Sequence, residues 1–365
     1  MGRTDRASAL GTRGFGASRA KRPRVAIDVD ALADVRTAAL SRAPISLGPR
    51  RTASPHEFYR YPARFSPELA SSVITAFSRP GDLVADYFVG GGTTLVEARR
   101  AGRLAIGSDI NSLSVFVSQV KTNLYRREDL SEVLDWSQGV QQWKVRPDDL
   151  ALDPGGVGVF RNVTGDALEP QRGLLLGGVT ELAALDSPKA RALARCVLLR
   201  TAQWALDMRR EVPTAEELRV ALIENAQAMV ETARQATRDY RIADAASAGP
   251  RLPRCLVLLQ GVPGVAIHPR LRKHPAPRLV LTSPPYPGVY VNYHRWKVRG
   301  RHETPFPYFL AGQSDGQWVG LLHDGSAQRP ISEDVLPAAR GGISRRGTPL
   351  RQRHTHRAGG GLQRP

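Results

Sequence analysis

The fold is decided by residues 82–94, which read Asp82-Leu83-Val84-Ala85-Asp86-Tyr87-Phe88-Val89-Gly90-Gly91-Gly92-Thr93-Thr94. A short apolar strand runs into a glycine-rich turn and then into a helix, predicted from Leu95 to Ala101, which Gly102 can terminate. Glycines let a ligand approach the backbone, and the first N–H groups of a helix lack partners within it. The pattern therefore predicts a ligand-binding turn between a strand and a helix.

A second strand follows this helix. It is predicted over residues 103–107, and the chain then reaches Asp109. This acid lies 23 residues beyond Asp86, close to the offset of roughly 20 residues at which a second-strand carboxylate accepts hydrogen bonds from ribose hydroxyls in a nucleotide-binding βαβ unit. A plain βαβ unit without a ligand is the alternative. Strand, loop, helix, strand and acid in register favour nucleotide binding.

A second motif, Thr282-Ser283-Pro284-Pro285-Tyr286, follows the apolar run from Leu279 to Leu281. This order predicts a buried strand that stops in a proline-fixed turn, since proline fixes φ and removes backbone donors. The carbonyls and the Ser283 hydroxyl remain as acceptors beside the Tyr286 ring. An extruded nucleobase, held by its Watson–Crick edge and stacked on an aromatic ring, suits such a turn. The alternative is a strand-end turn with a packed tyrosine.

Together these stretches resemble the amino-methyltransferases of DNA, which use S-adenosylmethionine to methylate cytosine at N4 or adenine at N6. The family's cofactor motif, roughly Asp-Pro-Phe-x-Gly-x-Gly-Thr-Thr, is matched from Asp86 to Thr94, and its Ser/Asp/Asn-Pro-Pro-Tyr motif from Ser283 to Tyr286. Residues 58–68 look like the family's N-terminal cofactor motif, which flanks the methionine end of the ligand. The resemblance covers roughly residues 55–125 and 255–308.

The resemblance implies a role for each matched position. The implied cofactor-binding residues are Tyr61, Phe65, Asp86, Phe88, Gly90, Gly92, Thr93 and Asp109. The implied catalytic residues are Ser283, Pro284, Pro285 and Tyr286. Ser283 and the Pro284 carbonyl would draw the protons of the target amine out of the ring plane, while Tyr286 stacks on the base. Serine at the head of this motif favours cytosine-N4 over adenine-N6, and no metal is required.

The sequence departs from the family pattern at several positions. Tyr87 replaces a proline and Gly91 replaces a serine, and neither change deletes a contact group. A third strand is predicted at residues 255–261, but Gly261-Val262 stands where the family has Gly-Asp. An acceptor for the adenine of the cofactor is therefore missing or supplied from elsewhere. Gly165-Asp166-Ala167 is a spare candidate, although a surface turn is favoured there.

Residues 126–250 form a segment that the resemblance does not cover. Ser187 with Pro188 predicts one helix start, and Thr214 with Glu217 predicts a second start by a capping box. Each helix carries an apolar stripe that we interpret as core rather than as a partner surface. The stripes are Leu193, Val197, Trp204 and Met208 in the first helix and Leu218, Leu222, Ala226 and Met229 in the second. By position alone, this helical insertion is a candidate for target recognition.

Basic residues interleave with aromatic ones after the catalytic turn. The run includes Tyr293, His294, Arg295 and Trp296. Such a mixture suits stacking on bases and neutralisation of phosphates, so these four residues are predicted to contact nucleic acid. A packed loop over the edge of the sheet is the alternative.

Composition bounds the remaining possibilities. The 365-residue chain has 52 Lys and Arg against 34 Asp and Glu, a net charge of +18 that favours a polyanionic partner. The resemblance implies double-stranded DNA with a flipped base, and a cognate restriction endonuclease as a further partner. Only two cysteines occur, which argues against a disulfide scaffold, a structural zinc site and thiolate-dependent methylation at ring carbon-5. No apolar run reaches about 18 residues and no secretory signal is present, so a cytoplasmic, nucleoid-associated location is expected.

The predicted fold is α/β, a Rossmann-like methyltransferase sheet with a helical insertion. A doubly wound sheet needs about three more strands after the catalytic one, and only Trp318 to Leu322 offers one, so we expect truncation at the C-terminal strands. The predicted segments are a basic disordered arm (1–45), an S-adenosylmethionine-binding half (46–125), the helical insertion (126–250), a catalytic half (251–310) and a disordered basic tail (311–365). The rival functions are an RNA base-amine methyltransferase and an inactive truncated nucleic-acid-binding remnant.

Overall fold

The computed structural model describes residues 54–61, 66–143, 158, 160–247, 253–265, 267–271, 274–284, 295–299 and 302–313. Within these ranges, four parallel strands form one sheet and two short strands form a separate antiparallel ribbon. The sheet strands are β1 (Leu83–Asp86), β2 (Leu104–Asp109), β3 (Cys255–Leu259) and β4 (Leu279–Val280). The ribbon strands are β5 (Trp296–Val298) and β6 (His302–Thr304).

Helices make up most of the remaining described structure. They are α1 (Pro67–Phe77), α2 (Thr93–Arg100), α3 (Ser112–Thr122), α4 (Arg127–Gln138), α5 (Glu169–Glu181), α6 (Pro188–Leu206), α7 (Ala215–Ala246), α8 (Val262–Val265) and α9 (Phe306–Ala311). Short 3₁₀ turns occur at Pro55–Phe58, Gly139–Gln142, Asp166–Leu168, Leu182–Ala184 and Pro269–Leu271.

The order of the strands in the sheet is β3-β2-β1-β4. The chain therefore moves outward in one direction from β1 to β3 and then returns to the other side of β1. Ligands of parallel α/β sheets bind beyond the carboxyl ends of the strands at such a reversal. The reversal in this sheet lies between β1 and β4, and β1 is buried along its whole length. The parallel sheet with flanking helices confirms the predicted α/β, Rossmann-like fold class.

Both predicted helix starts in the insertion are present. The Ser187 hydroxyl caps α6 by accepting from the N–H groups of Lys189 and Ala190, and Pro188 is its first residue. At the start of α7, the Thr214 hydroxyl accepts from the N–H of Glu217, and the Glu217 carboxylate accepts from the N–H of Thr214. These reciprocal bonds satisfy donors that the first helical turn leaves open.

The α7 stripe is buried as predicted, whereas the α6 stripe is only half correct. Leu193 and Val197 are fully buried, but Trp204 is 38% exposed and Met208 is 70% exposed. The reason is that α6 ends at Leu206, so Met208 lies outside the helix with a φ of 61°. The last buried positions of α6 lie on the side of Ala202 and Leu206. Trp204 consequently points away from the core.

The helical insertion packs directly on the cofactor half of the chain. One apolar cluster includes Leu113 and Val117 of α3 together with buried residues of α4, α5, α6, α7 and α9. At the other end of α7, the Asp244 carboxylate lies 3.0 Å from the Arg99 guanidinium of α2. This cluster therefore connects the insertion to α3 of the cofactor half, while the sheet strands contribute to two further apolar clusters.

Several predicted features occupy surface positions or lie outside the described residues. Gly165 and Asp166 are exposed next to a 3₁₀ turn, as a surface turn would be. In the described ranges β4 pairs only with β1. The predicted arm at 1–45 and the tail beyond residue 313 lie outside the description.

Of the described helices, none has the length and apolar character needed to cross a membrane. The same residues contain no cluster of three His, Cys, Asp or Glu side chains able to hold a metal ion.

Candidate active site

The two sequence motifs meet where β1 and β4 end. Thr282 follows β4, and its hydroxyl donates a 2.6 Å hydrogen bond to the Asp86 carboxylate at the end of β1, although the two residues are 196 positions apart in the chain. The N–H of Phe88 donates to the same Asp86 oxygen at 3.1 Å and to the Thr282 hydroxyl at 3.2 Å. The Thr94 hydroxyl also donates to the carbonyl of Leu281 at 3.2 Å. These bonds hold the glycine-rich turn against the proline-containing turn.

The glycine-rich turn passes close to two neighbouring side chains. Gly90 has a φ of 47° and Gly92 a φ of 78°, in the left-handed region that favours glycine. A Cβ on Gly92 would lie 2.7 Å from the Ser118 hydroxyl oxygen, and one on Gly90 would lie 2.8 Å from the Tyr61 ring. Both positions therefore require glycine, and Gly92 also provides the N-cap of α2.

Asp109 ends β2 beside this turn. Its carboxylate accepts from the N–H of Gly90 at 3.0 Å and from the N–H of Asn111 at 2.9 Å. Burial raises the pKa of Asp109, and the Asn111 and Gly90 N–H groups act in the opposite direction. Burial likewise raises the pKa of Asp86, and the hydrogen bonds from Thr282 and Phe88 act in the opposite direction. Each carboxylate oxygen can accept more than one hydrogen bond, so Asp109 retains capacity for a ligand.

Apolar side chains surround the same edge of the sheet. Phe88 follows β1, Ile110 follows β2 and Val262 follows β3, and they are 36%, 69% and 39% exposed. A Cβ on Gly261 would lie 3.6 Å from the Ile110 side chain, so Ile110 and the end of β3 are neighbours. Exposed apolar groups next to a few converging polar ones are typical of a small-molecule site.

The segment 54–61 packs against the glycine-rich turn and is held by several side chains. His56 lies 2.7 Å from the Glu97 carboxylate of α2, and burial lowers the His56 pKa. The Gln203 side chain of α6 bonds to the N–H and to the carbonyl of Arg60 at 3.1 and 2.9 Å. Tyr61 is thereby fixed over Gly90.

A buried lysine connects this segment to the turn. Lys121 of α3 is 2% exposed, and its ammonium donates to the Gly91 carbonyl at 2.8 Å and to the Tyr59 carbonyl at 3.4 Å. Removing such a donor would leave buried carbonyls without a partner, at a cost of about 1–3 kcal/mol each. Lys121 is therefore a positioning residue for the turn.

The part of the chain that contains the glycine-rich turn matches a known protein family. Residues 45–118, which contain the glycine-rich turn and β2, match the family described as DNA methylase (N6_N4_Mtase). This segment is therefore similar to the DNA methylase family. The family resemblance predicted from residues 82–94 and 283–286 is thereby confirmed, while the predicted truncation at the C-terminal strands stays a prediction.

Two curated type II methyltransferases are similar to short parts of this chain. Over 84 residues the chain is 32% identical to M.MjaII of Methanocaldococcus jannaschii, and this aligned stretch covers 23% of the chain and 16% of the relative. It is 47% identical over 45 residues to M1.MboII of Moraxella bovis, which covers 12% of this chain and 17% of the relative. The chain thus spans about a sixth of the length of each relative. No solved structure matches it.

The proline-containing turn after β4 is described up to Pro284. Ser283 is partly exposed and Pro284 is exposed. No described residue forms a hydrogen bond with the Ser283 hydroxyl, so the hydroxyl is open to a ligand. Five predicted site residues lie outside the described ranges, and their placement stays a prediction. They are Phe65, Pro285, Tyr286, Tyr293 and His294.

The structure corrects the role predicted for Trp296. This residue is 1% exposed, and its indole N–H donates to the Tyr59 hydroxyl at 3.3 Å. Its ring belongs to the main apolar cluster and cannot stack on a base. The packed alternative therefore holds for this side chain, because β5 places it on the inner face of the ribbon. Arg295, which precedes it, is partly exposed.

Neither cysteine of this chain is in a setting that would activate it as a nucleophile. Cys196 is buried on α6, and burial raises its pKa to about 12. Burial also raises the pKa of Cys255 on β3. A raised pKa disfavours the reactive thiolate at neutral pH.

Sequence reasoning missed several residues that shape the site. Thr282 belongs to the Thr-Ser-Pro-Pro-Tyr motif, but its hydrogen bond to Asp86 was not predicted. Gln203 and Lys121 lie on helices where periodicity alone marks them as ordinary surface or core positions. The available signal for Lys121 was a charged residue directly after the mostly apolar run from Val115 to Val120. A buried charge next to such a run requires a partner.

Proposed function

We propose that this protein transfers a methyl group to an exocyclic base amine in DNA, with cytosine-N4 favoured over adenine-N6. The observation that carries the proposal is the 2.6 Å hydrogen bond between Thr282 and Asp86. It links a nucleotide-type glycine turn to a proline-containing turn with an open serine hydroxyl, at the strand reversal where ligands of such sheets bind.

The residues at this edge fit S-adenosylmethionine. The glycine turn would face the methionine part of the ligand, with Tyr61 packed behind the turn. The Asp109 carboxylate would accept from the ribose hydroxyls, and the apolar side chains of Phe88, Ile110 and Val262 would cover the adenine. When bound, the cofactor supplies an electrophilic methyl group on a sulfonium. Asp86, Gly90, Gly92 and Thr93 would complete the contacts implied by the family motif.

The catalytic turn offers acceptors for an amine. The lone pair of an exocyclic amine is delocalised into the base ring, which makes the amine a poor nucleophile. The Ser283 hydroxyl and the Pro284 carbonyl would accept hydrogen bonds from its two N–H groups. These bonds would localise the lone pair on the nitrogen and direct it towards the methyl donor. Pro285 would fix the turn, and Tyr286 would stack on the flipped base.

The preference for cytosine-N4 rests on Ser283 at the head of the motif. The remaining family contacts do not discriminate between the two bases. A cognate restriction endonuclease as partner is proposed because both curated relatives are named type II methyltransferases. A cytoplasmic, nucleoid-associated location follows from the proposed DNA substrate.

Cofactor binding tests the first half of the proposal. Asp109→Ala removes a charged acceptor and should weaken S-adenosylmethionine binding by about 1–3 kcal/mol in isothermal titration calorimetry. Asp166→Ala is the matched control, because Asp166 is an exposed carboxylate and was the spare candidate for a cofactor contact. Equal affinities in the parent chain and in Asp109→Ala would remove Asp109 from the site.

The methylated product tests the second half. DNA from cells that express the chain should contain N4-methylcytosine, or otherwise N6-methyladenine, by mass spectrometry of digested nucleosides. Tyr286→Ala should abolish the product, and Tyr286→Phe, which keeps the ring, should retain it. Carbon-5 methylcytosine as the only new base would contradict the mechanism.

A further inference from the structure

The last turn of α6 carries an exposed aromatic residue that no part of the proposed mechanism uses. Trp204 is 38% exposed, and the Arg209 guanidinium lies 4.7 Å from the centroid of its ring. A guanidinium over an indole is attracted by the ring electrons, so the pair is held in place before any partner arrives. An exposed aromatic ring held beside a cation is the combination with which proteins bind nucleic-acid strands.

The chain after α6 joins this residue to the ribbon that follows the catalytic turn. The Asp207 carboxylate accepts from the N–H of Lys297 at 3.1 Å, and the N–H of Met208 donates to the Lys297 carbonyl at 2.8 Å. Met208 has a φ of 61° and is 70% exposed. A non-glycine residue in this conformation costs free energy, and such residues cluster at functional sites.

The same surface has an excess of positive charge. The charges of Arg60 and Lys297 both oppose the rise that burial causes in the pKa of Asp207, so both side chains lie near this carboxylate. Arg60 and Lys297 are exposed. Hydrogen bonds at the start of α7 and the charge of Arg209 lower the pKa of the exposed Glu217 carboxylate, so Arg209 and Glu217 are neighbours. Three cations, Arg60, Arg209 and Lys297, therefore lie beside two carboxylates, Asp207 and Glu217, and phosphate groups would complement the remaining positive charge.

The surface also borders the candidate site along the chain. Arg60 directly precedes Tyr61, which packs on the glycine turn, and Gln203 fixes the Arg60 backbone. Lys297 belongs to β5, the first described strand after the catalytic turn. Arg60 therefore links this surface to the segment that packs on the glycine turn.

We propose that Arg60, Trp204, Arg209 and Lys297, here called the Trp204 surface, contact the DNA strand that carries the target base. Arg60 and Lys297 contact phosphates, and the indole packs on a sugar or an unstacked base. This inference rests on the proposed function. It also moves the aromatic contact from Trp296, which is buried, to Trp204.

Fluorescence anisotropy with a labelled random-sequence DNA duplex tests the surface on the full chain. Trp204→Ala should weaken binding at least about five-fold without changing its salt dependence, because stacking is not ionic. Lys297→Gln should lower the slope of log affinity against log salt by about one, as expected when one phosphate contact is lost. The bonds to Asp207 and Met208 use the backbone of Lys297, so this substitution leaves them in place.

Arg238→Gln is the matched control. Arg238 is exposed on α7 and lies about 30 Å further along the helix axis than Glu217. If Trp204→Ala and Lys297→Gln bind DNA like Arg238→Gln, the inference is overturned while the proposed function stands. If the parent chain binds S-adenosylmethionine but no DNA, the DNA part of both proposals fails. Loss of cofactor binding in Trp204→Ala would show that Trp204 acts through the fold, which also overturns the inference.

Discussion

The carboxyl edge of the sheet and the helical layer beside it are held together by different forces. At the sheet edge, hydrogen bonds among Asp86, Phe88 and Thr282 join segments that are far apart in sequence. In the helical layer, one large apolar cluster packs α3 to α7 against one another. Polar networks need specific partners, whereas apolar packing needs only volume and area.

This difference determines how well each region can be recognised from its sequence. The sheet edge needs particular residue types at fixed spacings, and these appear as motifs. The helical layer needs only apolar residues on one face, and many sequences satisfy that condition. The two tryptophans show the consequence, because Trp296 was predicted to face nucleic acid and is buried, whereas Trp204 was predicted to be core and is exposed.

Substitution of the two tryptophans should give the largest contrast. Trp296→Ala removes a fully buried ring and should lower the free energy of unfolding by about 3–5 kcal/mol. Trp204→Ala removes an exposed ring and one cation–π contact, and should cost no more than about 1 kcal/mol. Urea denaturation of each variant measures both values. A larger loss for Trp204→Ala would reverse the assignment of core and surface.

The sequence predicted local features well because their physics is local. The glycine turn, Asp109 at the end of β2 and the capping box of Thr214 and Glu217 each depend on neighbouring residues. The bond between Thr282 and Asp86 could not be predicted, since it depends on the strand order. The exposure of Trp204 could not be predicted either, since periodicity identifies a helix face but not where the core ends along the helix.

Substitution of Gly92 should have the next largest effect. Gly92→Ala places a Cβ 2.7 Å from the Ser118 hydroxyl oxygen at a φ of 78°. We expect a loss of about 2–4 kcal/mol in unfolding free energy, of which about 1–2 kcal/mol is left-handed strain and the remainder overpacking. Cofactor binding should be lost as well. Denaturation and calorimetry on the same sample measure the two effects.

Two further variants separate the causes of that effect. Gly92→Ala combined with Ser118→Ala relieves the closest contact and should restore part of the stability. Gly165→Ala, in the insertion, meets no atom within 4 Å but has a φ of 99°. It should lower stability without changing cofactor affinity. Loss of cofactor binding in Gly165→Ala would mean that the glycine turn and the insertion are coupled more tightly than the comparison of the two regions implies.

The pH dependence of Asp109 should give the smallest effect. Burial raises its pKa on folding, so it contributes stability that is fully present below the unfolded value of about 4 and is lost as the pH rises through the folded value. In the chain without cofactor, the unfolding free energy should therefore fall with rising pH in that window, and Asp109→Asn should flatten this dependence.

Cofactor affinity should change in the opposite direction, because ribose hydroxyls donate best to the ionised carboxylate. Denaturation and calorimetry between about pH 4 and pH 8 measure both trends, while Asp86 and Asp207, whose pKa values are also raised, contribute to the slope that remains in the variant. An unchanged slope in Asp109→Asn would show that the Gly90 and Asn111 N–H groups fully offset the burial of this carboxylate.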